Sequence, residues 1–204
     1  MAKTQAGLLS LGTTGKFAGS MVFVQTASGT VVRQLVTPAN PRTTGQTGVR
    51  SMMAWSSQEW AQLSPAKQAT WLTAITKPGE SAFNAFVRRA MDQWKNGLFA
   101  EDASPSIVEA APDIPTLPTA IVNGKQVTFG WVDPAARLFG VVVHVTLAAA
   151  PTLGPGTAVK VVDAGTQLAI VSFTTPGTYH YRIRGGSHEG LFGPGTADAT
   201  FIIT

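Results

Sequence analysis

The chain has 204 residues, of which 44% are hydrophobic and only 13% are charged, so it is long enough for one large domain or two small ones with buried cores. It contains no cysteine, which excludes disulfides, thiolate chemistry and cysteine-bound metals. Its net charge of +4 is divided unevenly, because residues 1–99 carry ten basic and three acidic residues, whereas residues 100–204 carry five basic and eight acidic ones. A basic first half suits an acidic partner, either a protein surface or a nucleic acid.

The first segments of the chain predict an arm, a hairpin and a connector. The Gly- and Thr-rich stretch up to Ser20 is typical of an arm with little regular structure. Residues 21–25 and 30–36 are β-prone and are joined by T-A-S-G, which predicts a β-hairpin. The next stretch, TPANPRTTGQTGVR at 37–50, is basic, and its two prolines disfavour a helix. We therefore predict an extended connector after the hairpin.

Three short helices are predicted next, because apolar residues recur at three-, four- and seven-residue intervals. The first helix is predicted from Thr47. Ser64 ahead of a proline marks the start of the second, and Ser81 caps a third that ends at Asn96. Four of the five tryptophans fall in this region, which predicts a helical cluster packed by large aromatic side chains. The apolar stripe predicted for the first helix consists of Val49, Met52, Met53, Trp60 and Leu63.

The second half of the chain has the pattern of a β-sandwich. An Ala-, Pro- and acid-rich stretch, residues 100–118, predicts a linker between domains. About seven short β-rich runs follow, several of them separated by Gly/Pro turn signals, as in a sandwich of two antiparallel sheets. We therefore predict an α+β anchoring domain over residues 1–99, consisting of arm, hairpin and about three short helices. An all-β sandwich is predicted over residues 119–204.

Three segments of the second half resemble a fibronectin type III domain. VTFGWVDP at 127–134 resembles the second strand of that family, with its core tryptophan followed by proline. GTYHYRIRGGSHEG at 177–190 resembles the sixth strand and the loop after it, and the closing TADATFIIT resembles the last strand. Domains of this kind are usually binding or spacer modules, so the resemblance implies a role in contacts.

The same segments predict particular core residues. Trp131 is expected between the two sheets. Tyr179 or Tyr181 is expected to bury its ring and to bond its hydroxyl to the backbone. Gly185 and Gly186 stand where many fibronectin type III domains have Ala and Asn, so an immunoglobulin-like sandwich of another topology stays an alternative.

The first half of the chain resembles a family of bacteriophage and prophage proteins. The resemblance is carried by GKFAGSMVF at 15–23, VRQLVTPANPRTTGQTGVR at 32–50, WAQLSPAKQATW at 60–71 and FNAFVRR at 83–89. Members are regarded as virion structural proteins. The resemblance implies a non-enzymatic component of a phage particle, assembled in the host cytoplasm.

We expect the partner to be the major capsid protein or another virion protein, and the chain to be able to form a homo-oligomer. The most specific hypothesis is a capsid decoration or cement protein that binds the head lattice through its first half and projects the sandwich. Alternatives are a neck, tail or baseplate component and a host-surface adhesion module, with DNA retention as a third choice. Neither nucleic acid nor a membrane is an expected partner. The residues predicted to contact the partner are Lys16, Arg33, Asn40, Arg42, Gln46 and Arg50.

No catalytic, cofactor or metal site is predicted. Gly12 to Lys16 has only two residues between its glycines, whereas a phosphate-binding loop needs four. His144, His180 and His188 lack the four-residue spacing of a helical zinc motif. No carboxylate pair is recognisable from spacing, although spacing does not reveal pairs that are distant in sequence.

Overall fold

The chain forms two compact units, Met1–Pro41 and Arg42–Thr204. The division falls ahead of the helices, whereas the sequence predicted a boundary after them, in the 100–118 linker. The computed structural model describes residues 15–17, 21–26, 29–34, 43–104, 110–134, 137–147 and 151–204.

The first unit contains a three-stranded antiparallel sheet in the order β1-β2-β3. The predicted hairpin is confirmed, because β2 and β3 pair from Met21 with Gln34 to Thr26 with Gly29. Strand β1 is an addition to the prediction, since it lies in the stretch expected to have little regular structure. The strands are β1 (Gly15–Phe17), β2 (Met21–Thr26) and β3 (Gly29–Gln34).

Three helices open the second unit, and two of them begin at the predicted caps. The Ser64 hydroxyl accepts from the Lys67 N–H, and the Ser81 hydroxyl caps α3 in the same way. The first helix begins earlier than predicted, with Thr43 as its cap, so residues 44–50 are helical and not an extended connector. Within the described part of the chain, no helix is long and apolar enough to cross a membrane. The helices are α1 (Thr44–Gln62), α2 (Pro65–Thr70), followed by a 3-10 turn (Trp71–Ala74), and α3 (Ala82–Lys95).

The remaining strands form a fibronectin type III-like sandwich. One sheet has the order β4-β5-β8, and the other has the order β10-β9-β6-β7 with β11 also paired to β9. All of these pairs are antiparallel. Strand β4 begins inside the predicted linker. The strands are β4 (Thr116–Asn123), β5 (Gln126–Val132), β6 (Leu138–Thr146), β7 (Ala158–Asp163), β8 (Leu168–Ser172), β9 (Gly177–Ser187), β10 (Phe192–Gly195) and β11 (Ala199–Ile203).

The space between the two sheets contains the predicted aromatic residues. Trp131 is buried there, as is Tyr181. Tyr179 stacks on Phe201 with ring centroids 5.3 Å apart, and its hydroxyl donates to the Thr175 carbonyl oxygen at 2.8 Å. This is the corner arrangement expected for a tyrosine at the start of the sixth strand of a sandwich. The prediction of a buried ring with a backbone-bonded hydroxyl is therefore confirmed for Tyr179.

A second core joins the helices to the outer face of the larger sheet. Met52, Trp55 and Trp94 pack in one cluster with Val142 and Val161. This shared core is the reason why the helices and the sandwich form one unit. The face that α1 buries differs in part from the predicted stripe, since Val49 and Met53 are exposed. The buried positions of α1 are Gly48, Met52, Trp55, Ser56 and Glu59.

Phe99 fixes the segment that follows α3. Its ring lies against Gly140 of β6 and Gly186 of β9, which are cross-strand partners. A Cβ atom at Gly140 would lie 2.7 Å from the Phe99 Cζ atom, and a Cβ atom at Gly186 would overlap the ring. The Phe99 N–H also donates to the Gly190 carbonyl oxygen at 2.8 Å. The start of the predicted linker is therefore anchored in the core, because two paired glycines leave room for an aromatic ring.

Candidate functional site

Two of the predicted contact residues lie in the sheet of the first unit. Lys16 on β1 and Arg33 on β3 occupy register positions on either side of Val22 of β2. Arg33 is exposed. Asn40 and Arg42 lie outside the described residues, so their predicted role stays a prediction. The structure thus places the backbones of two predicted contact residues in one row of the sheet.

The other two predicted contact residues lie on α1. Gln46 and Arg50 are exposed and are four residues apart, so they lie on one face of the helix. Val49 and Met53, which are also exposed, extend the same face. We call these four residues the α1 outer face. It combines polar and apolar side chains, as protein contact surfaces do.

The sheet of the first unit has exposed apolar side chains among its described residues. None of the side chains described on β2 and β3 is buried. Val31 and Val32 are 48% and 50% exposed, and as successive strand residues they point to opposite faces. A small sheet normally needs a hydrophobic face packed against another element for stability. This sheet therefore offers apolar surface on both faces for contacts outside the unit.

A cleft of about 280 Å³ lies where the helices meet the sandwich. We call it the junction cleft. It is formed by the end of α1, the start of α2, the segment after Phe99, and the ends of β7 and β9. Its ionisable lining residues are Glu59, Lys67, Asp102, Asp163 and His188.

Glu59 and Asp163 form a carboxyl pair in the junction cleft. Glu59 is only 8% exposed, and burial, together with the neighbouring charge of Asp163, raises the pKa of Glu59 to about 7. The Asp163 Oδ2 atom accepts from the Gln62 side-chain amide at 3.3 Å. The buried Oδ1 atom of Asp163 has no hydrogen-bond partner among the described residues. It can therefore accept a hydrogen bond from the protonated carboxyl group of Glu59. Glu59 is therefore partly protonated near neutral pH.

Asp102 is the centre of an ion network on the other side of the cleft. Its Oδ2 atom accepts from His188 Nδ1 at 2.9 Å and also pairs with the Lys67 ammonium group. Burial by itself would raise the pKa of Asp102, but the hydrogen bonds from His188 and Lys67 outweigh burial and lower it. The His188 ring stacks on Phe139 with centroids 4.8 Å apart. The network therefore ties α2, the segment after Phe99 and the end of β9 together.

The chemistry available to the junction cleft is proton exchange and ion pairing. No group of three or more His, Asp or Glu side chains is placed to hold a metal ion within the part of the chain that the structure describes. Each charged group already contacts another group of the chain, which suits a structural joint. The site as a whole has no motif in the sequence, because its residues are far apart in the chain. One clue was available, since Glu59 lies seven residues after Met52 on an apolar helix face.

An adhesion role would be favoured by exposed aromatic side chains in the loops of the sandwich, and Phe192 is the obvious candidate. It is only partly exposed, because the Arg184 guanidinium lies 3.5 Å from its ring centroid. Its ring also packs against Phe99 at 5.3 Å. Phe192 therefore belongs to the core shared by helices and sheet.

Comparison with known proteins gives architectural similarity alone. No protein-family model matches the chain, and no curated protein matches it. Among solved structures, the spore cortex lytic enzyme SleM of Clostridium perfringens is 14% identical over 52% of this chain and 31% of its own, with a TM-score of 0.35. Chicken CNTN1 FN1-FN3 domains are 16% identical over 46% of this chain and 33% of theirs, with a TM-score of 0.39. The β-1,2-glucanase of Parabacteroides distasonis is 9% identical over 50% of this chain and 14% of its own, with a TM-score of 0.42.

Proposed function

We propose that the chain is a phage virion structural protein, and more specifically a decoration protein that binds the head lattice. The observation that carries the proposal is the separate N-terminal sheet, whose described side chains on β2 and β3 include no buried one. A sheet with apolar groups on both faces gains stability when a partner covers them. The resemblance of the first half to phage and prophage virion proteins supports the same assignment.

The proposed anchor is smaller than the sequence suggested. Since the helices share a core with the sandwich, we assign the anchor to residues 1–41, with the α1 outer face as a second contact. The unit Arg42–Thr204 would then be the projecting part. A lattice that presents many copies of the anchor site makes weak individual contacts sufficient through avidity.

The proposal predicts that the exposed valines of β3 contact the particle. Val32→Asp places a charge at an apolar, half-exposed position, so it should weaken binding of the full chain to particles that lack the protein by roughly tenfold or more. Val31→Asp tests the opposite face of the sheet. Leu72→Asp is the matched control, because Leu72 is 62% exposed on the 3-10 turn outside the proposed anchor. Co-sedimentation with the particles measures all three.

Two results of the binding experiment would contradict the anchor assignment. Equal binding by both valine variants and by the control would contradict the anchor assignment. If only the Leu72 variant lost binding, the helical part would be the contact and the domain roles would be reversed. Circular dichroism of each variant checks that the fold is retained.

A neck, tail or baseplate component is the alternative within the same class of protein. It would use the same anchor but would be present in far fewer copies. The adhesion hypothesis lacks its expected aromatic contact, because Phe192 packs against Arg184 and Phe99.

A further inference from the structure

A small cavity lies between α3 and the larger sheet of the sandwich. The space open to the centre of a water-sized sphere is about 10 Å³, which is enough for one water molecule. The cavity is separate from the junction cleft and shares no lining residue with it. Its lining includes Trp94 of α3, His144 of β6, Arg184 of β9, Phe192 of β10 and the 153–155 loop.

Three of the lining residues each have a buried polar atom that lacks a hydrogen-bond partner among the described residues. They are Nε1 of Trp94, Nε2 of His144 and Nε of Arg184. The three residues are 2%, 1% and 8% exposed, so bulk water does not solvate them freely. Buried polar groups in folded proteins are nearly always paired, with ordered water where no protein group is available. Three residues with such atoms around one cavity therefore favour a site for a small hydrogen-bonding molecule.

The hydrogen bonds of His144 identify which of its ring nitrogens carries a proton. The Thr157 hydroxyl donates to the Thr152 carbonyl oxygen, so it accepts from His144 Nδ1 at 3.1 Å. The Nε2 atom of the neutral ring is then an acceptor. Burial and the nearby charge of Arg184 lower the pKa of His144 to about 3, which keeps the ring neutral.

The other two atoms are donors with a fixed direction. The indole Nε1 of Trp94 can only donate. Arg184 is held by a bond from its Nη1 to the Leu153 carbonyl oxygen at 3.0 Å and by the Phe192 ring beneath its guanidinium. Two donors and one acceptor match the capacity of a single water molecule, which accepts two hydrogen bonds and donates at least one. A chloride ion would face the lone pair of His144 and satisfies only the two donors.

We propose that this cavity is a binding site for one ordered water molecule, which accepts hydrogen bonds from Trp94 and Arg184 and donates one to His144. The water would bridge the last turn of α3 to strands β6 and β9. It would thereby complete the polar contacts between the helices and the sandwich in a place where the described side chains do not pair directly.

A high-resolution crystal structure of the full chain, grown with sodium bromide, tests the proposal directly. We expect one water within about 2.7–3.2 Å of all three nitrogen atoms and no anomalous bromide signal. Bromide in the cavity would overturn the proposal in favour of an anion site. A cavity closed by direct pairing of the three atoms would also overturn it.

Solution NMR gives a second measurement, with a matched control. Trp94→Phe removes one donor and keeps an aromatic ring at the position, so the ¹⁵N shift of His144 Nε2 should move as its water partner is disturbed. Trp55→Phe is the control, because the Trp55 Nε1 atom is also buried and has no partner among the described residues, but Trp55 does not line the cavity. The wild-type chain should show the Nδ1–H tautomer of His144 and a water cross-peak to the Trp94 indole proton. The Nε2–H tautomer, or equal effects of the two variants, would contradict the site.

Discussion

Glu59 is the residue whose environment has the clearest consequence for stability. Its carboxyl group lies on the buried face of α1 beside Asp163, and its pKa is raised from 4.5 to about 7. A carboxyl group with a higher pKa in the folded state stabilises the fold fully below its unfolded pKa, and this contribution is lost as the pH rises through the folded value. The chain should therefore lose stability from this group between about pH 4.5 and pH 7.

Glu59→Gln should remove the loss of stability that the wild type shows as the pH rises. The amide is neutral at every pH and can still donate to Asp163, so the variant should exceed the wild type in free energy of unfolding by roughly 2–3 kcal/mol near pH 8, and by little near pH 4. Urea denaturation at a series of pH values measures the difference. A constant difference across the pH range would contradict the raised pKa.

Glu80→Gln is the matched control with the opposite sign. The hydrogen bond from Arg88, at 2.8 Å, is the main cause that lowers the pKa of Glu80. A lowered pKa contributes stability that is present above the unfolded value and is lost as the pH falls through the folded value. This variant should therefore be less stable than the wild type at neutral pH, with the difference shrinking in acid.

At the scale of elements, α1 approaches β7 closely because Gly48 has no side chain. A Cβ atom at Gly48 would lie 2.5 Å from the Ala158 carbonyl oxygen, so α1 and β7 would have to separate to accept it. Gly45 lies on the same helix with nothing within 4 Å of a Cβ atom. Substitutions at the two glycines can therefore distinguish an effect of close packing from an effect of backbone flexibility.

Opposite effects are expected when these glycines are replaced by alanine. Gly48→Ala should destabilise the chain by roughly 1–3 kcal/mol, because overpacking exceeds the gain in helix propensity. Gly45→Ala should stabilise it by roughly 0.5–1 kcal/mol, because alanine loses less backbone entropy in a helix. Thermal and urea unfolding of both variants checks the pair, and equal effects of the same sign would refute the close contact.

Local signals predicted the element boundaries that depend on local contacts. Ser64 and Ser81 cap their helices as expected, because a cap bonds a backbone N–H only three residues away. The start of α1 was missed because its cap, Thr43, lies in a stretch whose prolines indicated a connector. Gly45 also weakens the helical pattern there.

Contacts between distant segments could not be predicted in the same way. The position of Phe99 depends on Gly140 and Gly186, which become neighbours only when β6 and β9 pair. Without that pairing, the residues after Phe99 have the composition of a linker. The carboxyl pair of Glu59 and Asp163 is likewise created by the packing of α1 on β7. Neither contact can be predicted from the spacing of the residues in the sequence.

For the whole molecule, the division into two units is central to the proposed role. The helices and the sandwich share a core, so the unit Arg42–Thr204 is one body. The N-terminal unit has a small sheet with exposed valines, and we assign it to partner binding. Removal of residues 1–41 should strongly weaken particle binding, leaving only the contact of the α1 outer face, while thermal unfolding of the remaining chain stays cooperative. Retained binding would move the anchor to the second unit.

The number of copies per particle tests the decoration role most directly. Quantitative mass spectrometry of gradient-purified particles, in which the proposal places the chain, would give its ratio to the major capsid protein. We predict on the order of hundreds of copies in a fixed ratio, since a symmetric lattice repeats its binding site. About a dozen copies or fewer would place the chain in the neck or tail instead. Complete absence from the particles would contradict a virion role.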